Sequence, residues 1–220
     1  MARVLTLSHY LESKVSESFK LALILSSIAA GLLVLAFIVL NPLIAISFPI
    51  LAIALNYWHK YFSYSRGLSG EIKVLRELQS LPDDYVVVHS LPIPNLGDLD
   101  FVVVGPSGVY AIEVKNWFGK SLEVGGGTWR IRVGNRFKVI KSPVQKLKAR
   151  VAFLKRNGIV AVPFLVMVGS LRPEGLSEEG VEILSPDELI ARIFYGKAKL
   201  GKNDIEDISR KLLSLALNRR

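Results

Sequence analysis

The sequence predicts an α/β protein, a mixed β-sheet flanked by helices, preceded by an N-terminal transmembrane helical hairpin. Two observations predict it: an uncharged apolar segment near the start, and strand-like runs interspersed with helical runs after residue 59. The net charge of +9 also predicts that the protein binds an anionic partner. The predicted segments are an amphipathic cytoplasmic N-terminus over 1–20, the hairpin over 21–58, and a single cytosolic domain over 59–220.

Composition excludes several classes of protein. Half of the 220 residues are hydrophobic and 21% are charged, which rules out intrinsic disorder and a coiled-coil rod. The chain has no cysteine, so it has no disulfide framework, no thiolate zinc site and no cysteine nucleophile.

The apolar segment is long enough to cross a bilayer. No Asp, Glu, Lys, Arg or His occurs from Leu21 to Trp58, and Leu21–Leu40 alone gives a helix of about 30 Å. Asn41-Pro42 breaks this run, and Leu43–Trp58 follows as a second one that closes on an aromatic pair. The alternatives are a cleaved signal peptide, whose apolar core is shorter, and a buried hairpin of a soluble protein.

Flanking charge predicts the orientation. Lys14 and Lys20 precede the first span, Lys60 and Arg66 follow the second, and the connection is uncharged. The positive-inside rule then places both termini and the domain in the cytoplasm, with the hairpin in the cell membrane.

The domain is expected to run from helix to strands to helices. The predicted elements are a helix over Ser69–Ser80, strands over 85–90, 98–104 and 109–115, short antiparallel strands over 122–124, 129–133 and 137–140, a helix from Ser142-Pro143 to Asn157-Gly158, a buried strand over Ile159–Val168, a strand over Val181–Leu184, a helix from Ser185, and a helix near Asp204–Leu217. Turn residues, glycine above all, separate the strands.

Charged residues face each other across the hairpin closed by residues 105–108. With an even-numbered loop, partner positions sum to 213, so Asp100 lies opposite Glu113 and Asp98 opposite Lys115, all on one face. Two adjacent carboxylates repel unless a hard divalent cation lies between them, and Lys115 could then orient or deprotonate a water beside it. A three-residue loop with a bulge would turn Asp100 to the other face, and a surface hairpin edged with charges is the simpler alternative.

Glu71 is a candidate third carboxylate. It lies four residues before Leu75, within the apolar stripe of its helix, and Gly70 permits a close backbone approach. The alternative is a solvated acid in a first helical turn. His59 and His89 have no partner spacing typical of a metal site, so both are interpreted as structural.

These residues resemble a known family. Gly70-Glu71, the run from Gly97-Asp98-Leu99-Asp100 through the Gly105–Gly108 turn to Glu113-Val114-Lys115-Asn116-Trp117, Gly119, and Ser142-Pro143-Val144-Gln145 are similar to the NERD (nuclease-related) domain over roughly residues 67–170. That family belongs to the PD-(D/E)xK nuclease superfamily, so the resemblance implies a restriction-endonuclease-like fold.

The resemblance also implies roles. Asp100 and Glu113 would be ligands of Mg²⁺ or Mn²⁺, with the Val114 carbonyl as a third donor and Lys115 as the catalytic lysine. Glu71 would be the helix carboxylate at the metal, Asp98 an auxiliary acid, and Gln145 the catalytic-site residue of the following helix. That helix lacks the tyrosine of a Gln-x-x-x-Tyr pattern.

A basic stretch extends this interpretation. From Val124 to Pro173 there is no acid and there are eleven bases, with Trp129 and Phe137 among them. Such a surface favours contacts with the phosphates of nucleic acid. The alternatives are that it binds anionic lipid head groups or that it is simply exposed to solvent. The residues expected to contact nucleic acid are Arg130, Arg132, Arg136, Lys138, Lys141, Lys146, Lys148 and Arg150.

The sequence therefore favours a membrane-anchored, magnesium-dependent nuclease that hydrolyses phosphodiester bonds in DNA or RNA. The alternative is a membrane tether that binds nucleic acid or a partner protein without turnover. A purely structural membrane protein leaves the Asp, Glu and Lys arrangement of the hairpin unexplained.

Overall fold

The computed structural model describes residues 1–38, 42–197 and 199–217. They form two compact units: a helical unit over His9–Ser69, and an α/β unit made of Met1–Ser8 and the chain from Gly70 onwards. The helices of the described residues are α1 (Tyr10–Ile38), α2 (Pro42–Gln79), α3 (Val144–Arg156), α4 (Pro186–Phe194) and α5 (Lys202–Leu217).

The helical unit contains α1 and the first part of α2. Phe19 of α1 packs against Trp58 and Tyr61 of α2, with ring centroids 5.9 and 5.1 Å apart, and the Trp58 indole N–H donates to the Ser26 hydroxyl at 3.1 Å. The two helices therefore contact each other through aromatic side chains.

Membrane-spanning capacity is found in one described helix. Tyr10–Leu35 is long and apolar enough to cross a bilayer, since its most apolar 18 residues have a mean hydropathy of 2.1 and 17% of them are buried. A second span among the described residues is not found, and the predicted break at Asn41 lies outside them, so the two-span hairpin over 21–58 is not shown. The second apolar run instead continues into the predicted helix 69–80 as one 38-residue helix, α2.

A seven-stranded mixed sheet forms the centre of the α/β unit. In the order in which they lie side by side, its strands are β1 (Arg3–Thr6), β2 (Val86–Ile93), β3 (Gly97–Gly105), β4 (Gly108–Trp117), β8 (Val162–Gly169), β10 (Val181–Leu184) and β9 (Ser177–Glu178). β1 is parallel to β2, and β8 is parallel to both β4 and β10, while β2, β3 and β4 run antiparallel. The predicted mixed sheet with helices on both faces is confirmed.

Helices cover both faces of this sheet because successive side chains of each strand point to opposite sides. One face packs against α3, α5 and a small second sheet, through residues such as Leu147 and Leu212. The other packs against the end of α2 and against α4, through residues such as Val74, Leu78 and Leu189. Helical spacing predicts Ile72, Leu75 and Leu78 as the apolar stripe of this part of α2, but Ile72 is 41% exposed and Val74 is buried instead.

The structure divides the predicted N-terminal segment over 1–20. Its first residues form β1, which pairs with β2 from Arg3↔Val86 to Thr6↔His89, and its remainder from Tyr10 onwards belongs to α1. Arg3–Thr6 is short and does not alternate strongly between apolar and polar residues, so its sequence alone does not predict a strand. It is a strand because it pairs with β2.

The small sheet is antiparallel and has three strands, as predicted. They are β5 (Ser121–Glu123), β6 (Thr128–Val133) and β7 (Arg136–Lys141). Trp129 and Ile131 point inwards and are 0% and 4% exposed. The buried Glu178 carboxylate accepts hydrogen bonds from the Trp129 indole at 2.9 Å and from the Ser142 hydroxyl, which ties the small sheet to β9 and to the start of α3.

Candidate active site

The β3–β4 hairpin has the predicted register. Partners run from Gly105↔Gly108 to Phe101↔Ile112, so each pair sums to 213 and the turn contains two residues. The ladder ends at Phe101, and the next residue, Asp100, accepts a hydrogen bond from the Val114 backbone N–H at 2.7 Å. Asp100 therefore lies where β3 and β4 begin to separate, which leaves room for side chains between them.

Glu113 is buried on β4 and contacts two cations. Its Oε1 accepts from the Lys115 ammonium at 2.7 Å, and its Oε2 accepts from the Arg150 guanidinium of α3. Lys115 also donates to the Val114 carbonyl at 3.2 Å, and Arg150 donates through Nε to the Leu96 carbonyl at 3.2 Å. A buried carboxylate is stable when it is paired and hydrogen-bonded in this way.

Glu71 reaches the same region from α2. Its carboxylate bonds to His89 Nε2 at 3.1 Å, and both side chains are almost buried, at 13% and 11% exposure. The His89 ring stacks on Phe101 with centroids 4.8 Å apart. The close approach that this needs is present at Gly70, where a Cβ would lie 2.9 Å from the Cβ of Asn116. Glu71 is therefore not a solvated first-turn acid.

The charges of these groups influence one another strongly. Burial raises the pKa of Asp100 well above its usual value, and the nearby carboxylates of Glu113 and Glu71 raise it further, against the opposing effect of Lys115. Burial by itself lowers the pKa of Lys115, but the carboxylates of Glu113 and Asp100 outweigh it and the pKa is raised. Lys115 is therefore an ammonium donor in this structure and not a free base.

The donor set fits a magnesium ion better than a metal held entirely by protein. Asp100 and Glu113 offer carboxylate oxygens and Val114 a carbonyl, and burial, together with the nearby carboxylates of Glu113 and Glu71, raises the pKa of Asp100. Over residues 1–38, 42–197 and 199–217, no group of three or more His, Cys, Asp and Glu side chains is arranged to hold a metal. Mg²⁺ is commonly bound through one or two carboxylates, with water and substrate phosphate completing its shell.

Two predicted site residues are placed elsewhere. Gln145 is exposed and donates to Glu179 at 2.7 Å, in the turn between β9 and β10. Asp98 pairs in register with Pro92 of β2 instead of Lys115, because the β3–β4 ladder has already ended at Phe101. The structure therefore corrects the expected Asp98–Lys115 pairing, and the hydrogen bond of Gln145 found among the described residues goes to Glu179 and not to Asp100 or Glu113.

The predicted nucleic-acid contacts are exposed with one exception. The exposed ones are Arg130, Arg132, Arg136, Lys138, Lys141, Lys146 and Lys148. Lys148 pairs with Glu179 at 2.7 Å, and Arg130 pairs with Glu123 at 3.2 Å. Arg150 is 3% exposed and bound to Glu113, so the expectation of a surface phosphate contact is corrected to a buried partner of the candidate site.

Sequence reasoning missed three residues of this region. The sequence pattern places Arg150 among the expected surface bases, gives His89 no partner, and does not distinguish Glu178 from other acids. Arg150 does lie on the stripe of α3 that includes Leu147 and Leu154, all three buried. A base on an apolar stripe was the available signal that it faces the interior and needs an acidic partner there.

Comparison with known proteins identifies one family. The family model described as nuclease-related domain, NERD, matches residues 66–168, which include α2 from Arg66 onwards and the strands and helix that carry the candidate site. No curated protein matches the chain, and no solved structure matches it either.

Proposed function

We propose that this chain is a divalent-metal-dependent nuclease that hydrolyses phosphodiester bonds in DNA or RNA, because the nuclease-related domain model matches residues 66–168. The observation that carries the proposal is the meeting of Asp100, Glu113 and Lys115 where β3 and β4 separate. Two carboxylates and one ammonium beside a basic surface are the groups that phosphodiester hydrolysis requires.

In this proposal Asp100 and Glu113 hold Mg²⁺ or Mn²⁺, with the Val114 carbonyl as a further oxygen donor. When bound, such an ion polarises the scissile phosphate and activates the attacking water. Lys115 keeps its proton at Nζ, because its pKa is raised, and it donates to a phosphate oxygen as negative charge develops there. Glu71, fixed by His89, adds negative charge beside Asp100 and so favours retention of the cation.

Cleavage by the full-length protein in detergent tests this proposal. We expect labelled DNA or RNA to be cut with Mg²⁺ or Mn²⁺ and to stay intact with EDTA. Asp100→Ala and Lys115→Ala should each lower the rate at least a hundredfold, since loss of one group that stabilises transition-state charge has about that effect. Asp84→Ala and Lys155→Ala, at exposed positions, are the matched controls. If Asp100→Ala and Lys115→Ala both cleave at the rate of the wild type, the proposal is contradicted.

A binding module without turnover is the second candidate function. It is favoured by the Glu113 carboxylate, both of whose oxygens are taken by Lys115 and Arg150, which compete with a metal for the same atoms. Calorimetric titration with Mg²⁺ separates the two functions. Binding that Asp100→Asn abolishes supports the nuclease, whereas unchanged nucleic-acid affinity with EDTA, no metal binding and no cleavage support the module.

We also propose that the chain is anchored in the cell membrane by a two-helix hairpin, with both termini and the α/β unit in the cytoplasm. The support is topological: β1 precedes α1, β2 follows α2, and the two strands pair in one sheet. They must therefore lie on the same side of a membrane. A chain that crosses once in α1 must return before β2, and the apolar start of α2 is the segment available. The basic flanks at Lys14, Lys20, Lys60 and Arg66 favour the cytoplasmic side.

The absence of cysteine makes this topology directly measurable. A single cysteine at Ser8 or at Asp187 should react with a membrane-impermeant maleimide only after cells are opened. A cysteine at Asn41, in the predicted connection, should react in intact cells. Labelling of Ser8→Cys and Asp187→Cys from opposite sides would contradict the hairpin.

A further inference from the structure

One face of the small sheet is open to solvent and combines basic with apolar side chains. Register places Arg130 beside Val139 and Arg132 beside Phe137, on the side opposite the buried Trp129 and Ile131. We call this the outer face, defined by Arg130, Arg132, Phe137, Val139 and Lys141. Phe137 is 44% and Val139 is 64% exposed, although each would be favoured in a core.

The aromatic ring on this face is held under a cation. The Arg130 guanidinium lies 4.4 Å from the centroid of Phe137, and it also pairs with Glu123 of β5 at 3.2 Å. This exposed ion pair costs little to break, so Glu123 does not prevent Arg130 from contacting another anion. Arg132 and Lys141 add two further exposed cations, and no acid occurs from Val124 to Pro173.

The sheet behind this face is firmly anchored. The Trp129 ring packs edge-on against Trp117, with centroids 6.1 Å apart, and its indole N–H donates to Glu178. The Gly119 N–H and carbonyl both bond to the Ser170 hydroxyl, at 3.0 and 2.9 Å, at the start of the segment that leads from β4 into the small sheet. An anchored surface with an exposed ring is suited to stacking, because little of it has to become ordered on binding.

We propose that the outer face binds single-stranded nucleic acid: Arg130 moves from the Phe137 ring to a phosphate, an unpaired base stacks on that ring, and Arg132 and Lys141 hold the flanking phosphates. The inference rests on the proposed function for the class of ligand, and deepens it by naming single strands as the substrate form. Phosphate contacts alone need only cations, so they leave the exposed Phe137 and Val139 unexplained. Unpaired bases offer a π-face to such a ring, whereas bases within a duplex are already stacked on one another.

Binding measured with EDTA tests the inference without any turnover. Full-length protein in nanodiscs of neutral phosphatidylcholine is titrated into a fluorescent single-stranded oligonucleotide and into the same sequence as a duplex, and anisotropy is read. We expect the single strand to bind more tightly. Phe137→Ala should weaken single-strand binding by about 5- to 150-fold, the range found for loss of one stacking aromatic side chain, and should leave duplex binding unchanged.

Two further variants separate stacking from general apolar contact and from fold. Phe137→Trp should retain single-strand affinity, whereas Phe137→Leu should lose it like the alanine variant. Phe194→Ala is the matched control, since Phe194 is 55% exposed on α4, which packs on the other face of the main sheet. Phe194→Ala should bind as the wild type does.

The outcomes distinguish this inference from the nuclease proposal. Single-strand binding that depends on Phe137 but is accompanied by no cleavage supports the outer face and overturns only the catalytic function. Equal affinity of wild type, Phe137→Ala and Phe137→Leu overturns the outer face, whatever the cleavage assay gives. If anionic lipid in the nanodisc abolishes oligonucleotide binding to the wild type but not to Phe137→Ala, the face binds lipid and the inference fails.

Discussion

Arg150 of α3 and Glu113 of β4 form a buried ion pair, with side chains 4% and 8% exposed. The pair joins the helix that covers the main sheet to the strand that carries the candidate site. Arg150 also donates to the Leu96 carbonyl, in the turn between β2 and β3. One side chain thus links three elements around Glu113, and its loss should affect both stability and the site.

Arg150→Met should destabilise the α/β unit by up to about 3–5 kcal/mol, because it removes one of the two cations paired with the buried Glu113 carboxylate and leaves Lys115 as the remaining one. Thermal and denaturant unfolding followed by tryptophan fluorescence measures this. Lys155→Met, at an exposed position of the same helix, is the control and should unfold as the wild type does. The double variant Glu113→Gln/Arg150→Met should lose less stability than the two single losses added together. Strict additivity would mean that the two residues do not interact.

Asp100→Asn should stabilise the metal-free protein at neutral pH. The folded pKa of Asp100 is raised by burial and by the nearby carboxylates, so wild-type stability falls as pH rises from the unfolded to the folded pKa. If the pKa of Asp100 differs by one between the folded and unfolded protein, the free energy of unfolding changes by about 1.4 kcal/mol. Asparagine avoids this loss and keeps an acceptor for the Val114 N–H.

The gain from Asp100→Asn should vanish at acid pH, below the ordinary aspartate pKa, where the side chain is protonated in both folded and unfolded wild type. Unfolding free energies of both proteins with EDTA, measured from acid to neutral pH, check this sign. Asp83→Asn, at an exposed position, serves as control. A gain that is constant across pH, or largest in acid, contradicts the charged cluster around Asp100.

Glu178→Ala should loosen the small sheet without unfolding the main one. The substitution leaves the Trp129 indole and the Ser142 hydroxyl without their acceptor, at a cost of about 1–3 kcal/mol. Hydrogen exchange should accelerate over residues 121–141 and stay unchanged over β3 and β4. The neighbouring Glu179→Ala removes only exposed contacts to Gln145 and Lys148, so it is the matched control. Equal exchange in the two variants would show that Glu178 does not anchor the sheet.

His89→Phe should separate two roles of the histidine. Phenylalanine keeps the stack on Phe101 but leaves the Glu71 carboxylate without its partner, with an expected cost of about 1–3 kcal/mol. His89→Ala loses both contacts and should be less stable still. Unfolding curves compare them with His59→Phe, a substitution at an exposed histidine of α2. If His89→Phe is as stable as the wild type, the bond to Glu71 does not fix that carboxylate.

Several features were predictable because they depend on local chemistry. The Gly105–Gly108 turn and the alternation beside it predicted the register of β3 and β4, since strand side chains alternate with a period of two. Glu71 was predicted at the edge of the core from helical spacing and a neighbouring glycine, and it lies beside His89. The family resemblance over 67–170 is confirmed by the match over 66–168.

Other features depend on which elements meet. β1 became a strand through its partner β2, and Asp98 turned out to pair with β2 because the β3–β4 ladder stops at Phe101. Gln145 faces Glu179 because the turn before β10 passes over the start of α3. None of these contacts follows from the spacing of residues along one strand or helix.

Periodicity, turn residues and charge were enough to determine the mixed sheet, the facing pair of strands and the basic character of the domain, since these are properties of short segments. Only tertiary structure decided that Arg150 is a buried partner of Glu113 and that His89 holds Glu71. These contacts join residues 37 and 18 positions apart, on elements whose meeting depends on how helices pack against the sheet. Because an unpaired buried charge is costly, a charged side chain brought into the interior is stable only beside a partner such as Arg150 for Glu113.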